Sequence, residues 1–189
     1  MDIWDEDAIR GRLAEWAEQD PELGRFGAGT HRYALRPRLA EDEVRAFERA
    51  HGIALPADYR SFVTEVGDGP AGPGHGLMPL LSPRPEAVGL PEWDQWAVDG
   101  EWSDDRRPGR LAAPFPLAGP LRGRIDAIDP PTAGTLLLAE EGCGVYLRMV
   151  LNGPCAGEVW RLDTDWAGFV PVHPDFRSWY ANWLSTDRN

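Results

Sequence analysis

Two cysteines, four histidines, five serines and 31 carboxylates are the side chains of this 189-residue chain that could support covalent, metal or acid–base chemistry. Their spacing supports little of it. Cys143 and Cys155 flank a segment, 145–151, that reads as a strand. About ten extended residues at ~3.3 Å each hold them roughly 30 Å apart, whereas a disulfide needs Cα atoms within about 7 Å. Two free thiols are expected, as in a reducing cytoplasm. His31, His51, His75 and His173 stand alone, with no HxH, HxxxH or CxxC, so no metal site is indicated. His51 is expected at the carbonyl end of a helix, and His173, before Pro174, at the start of the last one. Gly67-Asp-Gly-Pro-Ala-Gly-Pro-Gly-His-Gly76 is glycine-rich, but it lacks the Lys-Ser/Thr of a phosphate loop and its two prolines remove amide donors. It reads as a mobile loop beside a sheet edge. Ser61, Ser82, Ser103, Ser178 and Ser185 lie in no G-x-S-x-G elbow. With so many acids, carboxylate pairs arise by chance. The sequence calls for no catalytic residue and no cofactor.

What remains is recognition chemistry. The formal charge is −12, and all 19 basic residues are Arg. A chain this acidic is not expected to bind nucleic acid or an anionic membrane, which need a basic face; it suits a basic partner. The window Glu92–Asp105 holds six acids (Glu92, Asp94, Asp99, Glu101, Asp104, Asp105), no base, and Trp93, Trp96 and Trp102. Aromatic anchors among carboxylates are what a binder of a cationic protein needs. Two readings stay open: a docking surface built from Glu92, Trp93, Asp94, Trp96, Glu101, Trp102, Asp104 and Asp105, with Asp68 as a second contact, or core tryptophans under a solvated acidic face.

The elements that must carry such a surface follow from periodicity. Residues 5–18 place Ile9, Leu13 and Trp16 at helical spacing behind an acidic first turn. Residues 41–51 repeat that pattern and end at Gly52. Leu55-Pro56 starts a third helix in which Tyr59, Phe62, Val63 and Val66 form one stripe. Residues 70–131 hold 12 of the 18 prolines and read as a long irregular connection with short strands near 89–97. From 134 the pattern turns to strands: 135–139, 145–151, 158–163 and 169–172. A helix with Phe176, Trp179, Tyr180, Trp183 and Leu184 on one face closes the chain. Helices first and strands later predict a single α+β domain with a mixed, mainly antiparallel sheet flanked by helices. No apolar run approaches the roughly 20 residues of a membrane span. The acidic opening MDIWDEDAIR lacks the features of a secretory signal, so a cytoplasmic protein is expected.

The run Leu39-Ala-Glu-Asp-Glu-Val44, Phe47-Glu48, Gly52-Ile53, Leu55-Pro56, Asp58-Tyr59, Phe62 and Gly67-Asp-Gly69 resembles the SUKH superfamily, the Smi–Knr family. The later half agrees through Gly142-Cys143-Gly144, Leu151, Gly153-Pro154, Gly157, Val159-Trp160 and the Trp179 helix. The resemblance covers roughly 38–69 and 134–184 and leaves 1–30 as a helical extension of a 31–189 domain. It departs at Ala40, where relatives often carry a Ser cap, and at Asp68, in a turn that is often Asn-Gly or Gly-Gly. The resemblance implies a non-enzymatic binding module, either an immunity protein that neutralises a toxin, often a nuclease, or a regulator of the fungal cell-wall type. The signature residues themselves read as structural. Trp160 is expected to anchor the sheet to a helix. Glu48 is either half-buried and bonded to backbone, the favoured reading, or solvated.

Overall fold

A computed structural model describes residues 4–81, 107–123, 125, 132–164 and 168–186. Within these the chain runs α1 (Glu6–Gln19), α2 (Ala28–His31), α3 (Glu41–His51), α4 (Ala57–Glu65), β1 (Thr135–Gly142), β2 (Val145–Val150), β3 (Val159–Asp163), β4 (Gly168–His173) and α5 (Phe176–Ser185). It is a single-domain α+β fold. The strands form one antiparallel sheet in the order β1-β2-β3-β4.

Local chemistry sets the helix ends. Asp5 caps α1 by accepting from Ala8 N at 3.0 Å, and Asp175 caps α5 by accepting from Ser178 N at 2.6 Å. At α3 the cap residue is Ala40, which has no side-chain acceptor. Only the reciprocal half of a capping box survives there, Glu43 accepting from Ala40 N at 2.9 Å. Gly52, at φ 66°, ends α3 in the left-handed conformation that costs glycine least.

The sheet is covered on both faces, and each strand's two-residue period decides which side chain goes where. Leu136, Leu138, Leu147, Met149 and Val159 point to the helices and join Val44, Phe47, Tyr59, Phe62, Val63, Phe176 and Tyr180 in one core. Val150, Trp160, Leu162 and Phe169 point the other way, onto Phe115, Leu117, Leu121 and Ile125. Among the described residues, Trp160 thus faces away from the helices of the main core. It lies one residue out of phase with Val159 and packs on Phe115 and Phe169, with centroids at 4.9 and 5.4 Å. Its indole donates to Glu158 at 2.8 Å.

Two connections hold the strands in register. Cys143-Gly144 is a two-residue hairpin loop between Gly142 and Val145, with φ 52° and 75°. Both positive values match the tight turn that suits twisted strands. The longer β2–β3 connection begins at Asn152, whose side chain accepts from Phe115 N (2.9 Å) and donates to Ala113 O (2.7 Å). That clamp ties the irregular 111–115 segment to the sheet.

Candidate functional site

The sheet edges come first, because an exposed edge invites an added strand. Residues 75–78 lie along β1: His75 N donates to Glu140 O and Met78 N to Leu138 O, both at 2.7 Å. The glycine-rich segment before them is not a mobile loop. Residues 67–73 are buried throughout. Ala71 N donates to Ala34 O at 2.9 Å, and Tyr180 Oη donates to Ala71 O at 3.0 Å. Its glycines are there because backbones touch: a Cβ on Gly74 would collide with the Glu140 carbonyl. On the far side, Leu121 and Phe169 exchange two backbone hydrogen bonds, at 2.9 and 2.8 Å. Two residues on, Pro171 turns the same way and has no N–H to offer. Among the described residues, each sheet edge is thus partly covered.

A groove of ≈ 280 Å³ lies between the sheet and α5. Its floor carries Leu147, Arg161 and Val172, and one wall carries Trp179, Asn182 and Trp183. Pro73 and Gly74 form the opposite side. Arg161 lies between two carboxylates, Glu141 at 3.1 Å and Asp163 at 3.4 Å. His173 also lines the groove; it closes β4 rather than starting α5, which begins behind the Asp175 cap. Trp183 is held from behind by Trp16 (centroids 5.1 Å), Tyr180 (5.3 Å) and His31 (5.8 Å). Burial pushes the His31 imidazole down to about 4, so it is neutral near pH 7. Its Nδ1 accepts from Tyr33 N at 3.0 Å.

Phe26 is 62% exposed, its ring 4.8 Å from that of His75. Asp20 fixes the loop beneath it by accepting from Gly24 N (2.8 Å), Arg25 N (3.1 Å) and the Tyr33 hydroxyl, and these bonds hold the Asp20 carboxyl below its ordinary range. Gly27, at φ 77°, lies against the Gly74 carbonyl, where a Cβ has no room. Composition gave no hint of Phe26 or of the groove, whose walls come from chain positions over a hundred residues apart.

Asp68 is not a surface contact. It is 4% exposed, and its two carboxylate oxygens accept from Leu80 N (2.6 Å) and Leu81 N (3.3 Å), fixing the segment that leaves the β1 edge. The other expected contacts, Glu92, Trp93, Asp94, Trp96, Glu101, Trp102, Asp104 and Asp105, lie outside the described residues, as do the strands expected near 89–97. Glu48 accepts from Leu55 N at 3.0 Å and meets Arg60 Nε at 3.3 Å, joining α3 to the start of α4. Leu55, Tyr59, Phe62 and Trp179 are core, and Pro56 immediately precedes α4. Gly142, Cys143 and Gly144 make the hairpin turn, with the Cys143 side exposed. Gly153, Pro154 and Gly157 belong to the β2–β3 connection, where both glycines have positive φ.

Arg148 is a buried charge that the sequence reading does not single out. It sits on β2 with no solvent exposure and donates from Nε to Thr135 Oγ1 at 2.7 Å. A charged residue inside the 145–151 run was the signal for it. Glu140 and Tyr146, paired across the β1–β2 ladder, both have pKa values raised chiefly by burial. Among the described residues, no three His, Cys, Asp or Glu side chains are grouped to hold a metal ion. Among them, too, no helix is long and apolar enough to cross a membrane.

Among the described residues, an antiparallel sheet with helices on one face, and a groove beside its last helix, defines an α+β module. The profile of the SMI1 / KNR4 family (SUKH-1) matches residues 38–182, so the chain belongs to that family. Membership places it among immunity-protein or Smi1/Knr4-like protein-interaction modules, which are generally non-catalytic. No curated protein and no solved structure is significantly similar to the chain. The matched span starts after α1 and α2, yet Trp4, Ile9, Leu13 and Trp16 lie in the same core as the matched elements.

Proposed function

We propose that this chain is a cytoplasmic, non-enzymatic immunity protein that binds one cognate polymorphic toxin and blocks it. The observation that carries the reading is family membership over 38–182 in a chain of formal charge −12. The charge makes a basic toxin, such as a nuclease, the fitting partner. Binding occludes the toxin's active face, and the acid surplus raises the encounter rate with a cationic surface. Residues 92–105 supply that steering through Glu92, Asp94, Glu101, Asp104 and Asp105, while Trp93, Trp96 and Trp102 supply apolar anchors.

The test is co-expression with the product of the adjacent gene, scored by rescue from toxicity and by co-purification. Rescue with stoichiometric co-purification is the expected result. Reversing the charges of Glu101, Asp104 and Asp105 together slows association and flattens its salt dependence. Kinetics unchanged by that triple reversal remove the window from the interface. An adjacent gene that encodes nothing toxic overturns the immunity reading in favour of a regulatory interaction module.

A further inference from the structure

We infer that His31 is an acid-operated latch: a second proton on its ring releases α2 and the turn after it, and with them the support behind Trp183, while the sheet stays folded. This goes beyond the immunity reading and does not depend on it.

The geometry of the turn carries the inference. α2 is four residues long and is followed by Arg32 and Tyr33, both in the left-handed region at φ 48° and 57°. Neither is glycine, so the turn stores strain. The bond from Tyr33 N to His31 Nδ1, at 3.0 Å, spans it. A ring nitrogen that accepts carries no proton, so the neutral imidazole holds its hydrogen on Nε2. A second proton can go only to Nδ1. It turns the acceptor into a donor that faces another N–H, and the attraction becomes a repulsion. The new charge also has no water to face: His31 is 1% exposed, with the rings of Tyr33 and Trp183 centred 5.2 and 5.8 Å away. The charged groups of the neighbouring elements are committed elsewhere. Asp20 accepts from Gly24 N, Arg25 N and the Tyr33 hydroxyl. Arg12 and Arg25 lie over the ring of Trp16, which itself packs on Trp183. Burial accordingly pushes the His31 imidazole down to about 4.

Release stays local because the chain is tied on both sides. Before α2, Asp20 holds Gly24 and Arg25. After the turn, Ala34 O accepts from Ala71 N at 2.9 Å, and Arg36 N donates to Gly69 O. A short strained segment between two such ties opens at a lower free energy than a strand ladder. Trp183, which lines the groove beside α5, then loses one of the rings behind it.

The experiment is native-state amide hydrogen exchange on the full chain, wild type and His31→Gln, at pH 6.5 and 4.5 with and without low urea. Gln keeps an oxygen that accepts from Tyr33 N but takes up no proton. With a pKa of about 4 when latched and the ordinary 6.5 when released, the opening constant of the wild-type Arg32, Tyr33 and Ala34 amides rises about fortyfold between the two pH values. At pH 4.5 it exceeds that of the β2 and β3 amides at least tenfold, and it does not respond to urea, since little surface is exposed. In His31→Gln the rise is threefold or less. If that variant does not fold, the wild-type exchange pattern decides together with the NMR titration of the His31 ring, which stays neutral down to pH 5. Residues 32–34 that open only together with β2 and β3, with the same urea response, overturn the inference, because acid then acts on the whole fold. So does an equally steep rise in His31→Gln, or a ring that titrates near 6.5 while the Tyr33 amide stays protected.

Discussion

A chain beginning at residue 38, where the family match begins, does not fold. The matched span suggests a boundary that the packing does not respect. Removing residues 1–37 strips Trp4, Ile9, Leu13 and Trp16 from the core. Each side chain is fully or nearly fully buried and contributes about 1.5–3 kcal/mol by area, so the four together are worth on the order of 6–12 kcal/mol. Their loss uncovers the aromatics they shield: Trp4 meets Phe62, Phe176 and Tyr180 with centroids at 5.1, 5.9 and 6.0 Å. Three backbone carbonyls also lose partners, those of Asp58 (from Trp4 Nε1), Val66 (from Arg10) and Leu184 (from Arg12). A domain this size is stable by only about 5–15 kcal/mol, so the deficit is of the same size as the whole stability. The assay is thermal and urea unfolding followed by near-ultraviolet circular dichroism. The full chain shows a cooperative transition and the shortened one shows none. Trp16→Ala gives a graded version, costing about 3–5 kcal/mol and lowering Tm by roughly 6–20 °C. A chain of residues 38–189 that melts cooperatively within about 10 °C of the full protein refutes the reasoning.

Two further outcomes follow from single side chains. His31 has its folded pKa lowered from 6.5 to about 4 by burial, so between those values the unfolded chain binds the extra proton. Its contribution is complete above pH 6.5 and falls by about 3 kcal/mol as pH drops toward 4; urea midpoints across pH 4–8 show a shallower acid loss for His31→Gln than for wild type, and parallel curves count against it. Asp68→Ala leaves two backbone amides without their acceptor and costs about 1–3 kcal/mol in urea unfolding, while the affinity of the folded variant for a partner is unchanged; a weakened affinity at unaltered stability contradicts the placement of Asp68.

How far the sequence could be read depends on whether a signal was local. The periodicity of Ile9, Leu13 and Trp16, the Pro56 start, and the apolar runs at 135–139 and 145–151 placed the helices and strands, because each reports a buried stripe within one element. The layer that Trp160 faces is not legible in the sequence, because alternation shows that a strand has two faces but not which layer covers each. The glycine-rich 67–76 segment was read as loose because glycine has two uses. It frees a chain in solvent, and it also lets two backbones meet, as at Gly74 against Glu140. Asp68 misled for a related reason: a carboxylate in a turn looks solvated until the amides of Leu80 and Leu81 are brought to it. The groove beside α5 has no local signature, since it exists only where Pro73, Gly74, Glu141, Leu147, Arg161, Val172 and residues of α5 converge.

If the chain binds a protein partner as proposed, a groove such as the one beside α5 offers more discrimination than a strand edge. An edge recognises main chain, which every protein has, so it discriminates poorly unless side-chain pockets flank it. Among the described residues, 75–78 and Leu121 cover parts of the two edges, and Pro171 offers no donor. The groove, in contrast, takes its walls from parts of the chain with different constraints. Trp179 and Trp183 are tied to the core through Phe176 and Trp16 and cannot change without cost. Val172 and Asn182 face solvent and carry little of the fold. A rim free to vary on a fixed frame can change partners without losing stability, and a module that must answer one particular partner needs that freedom.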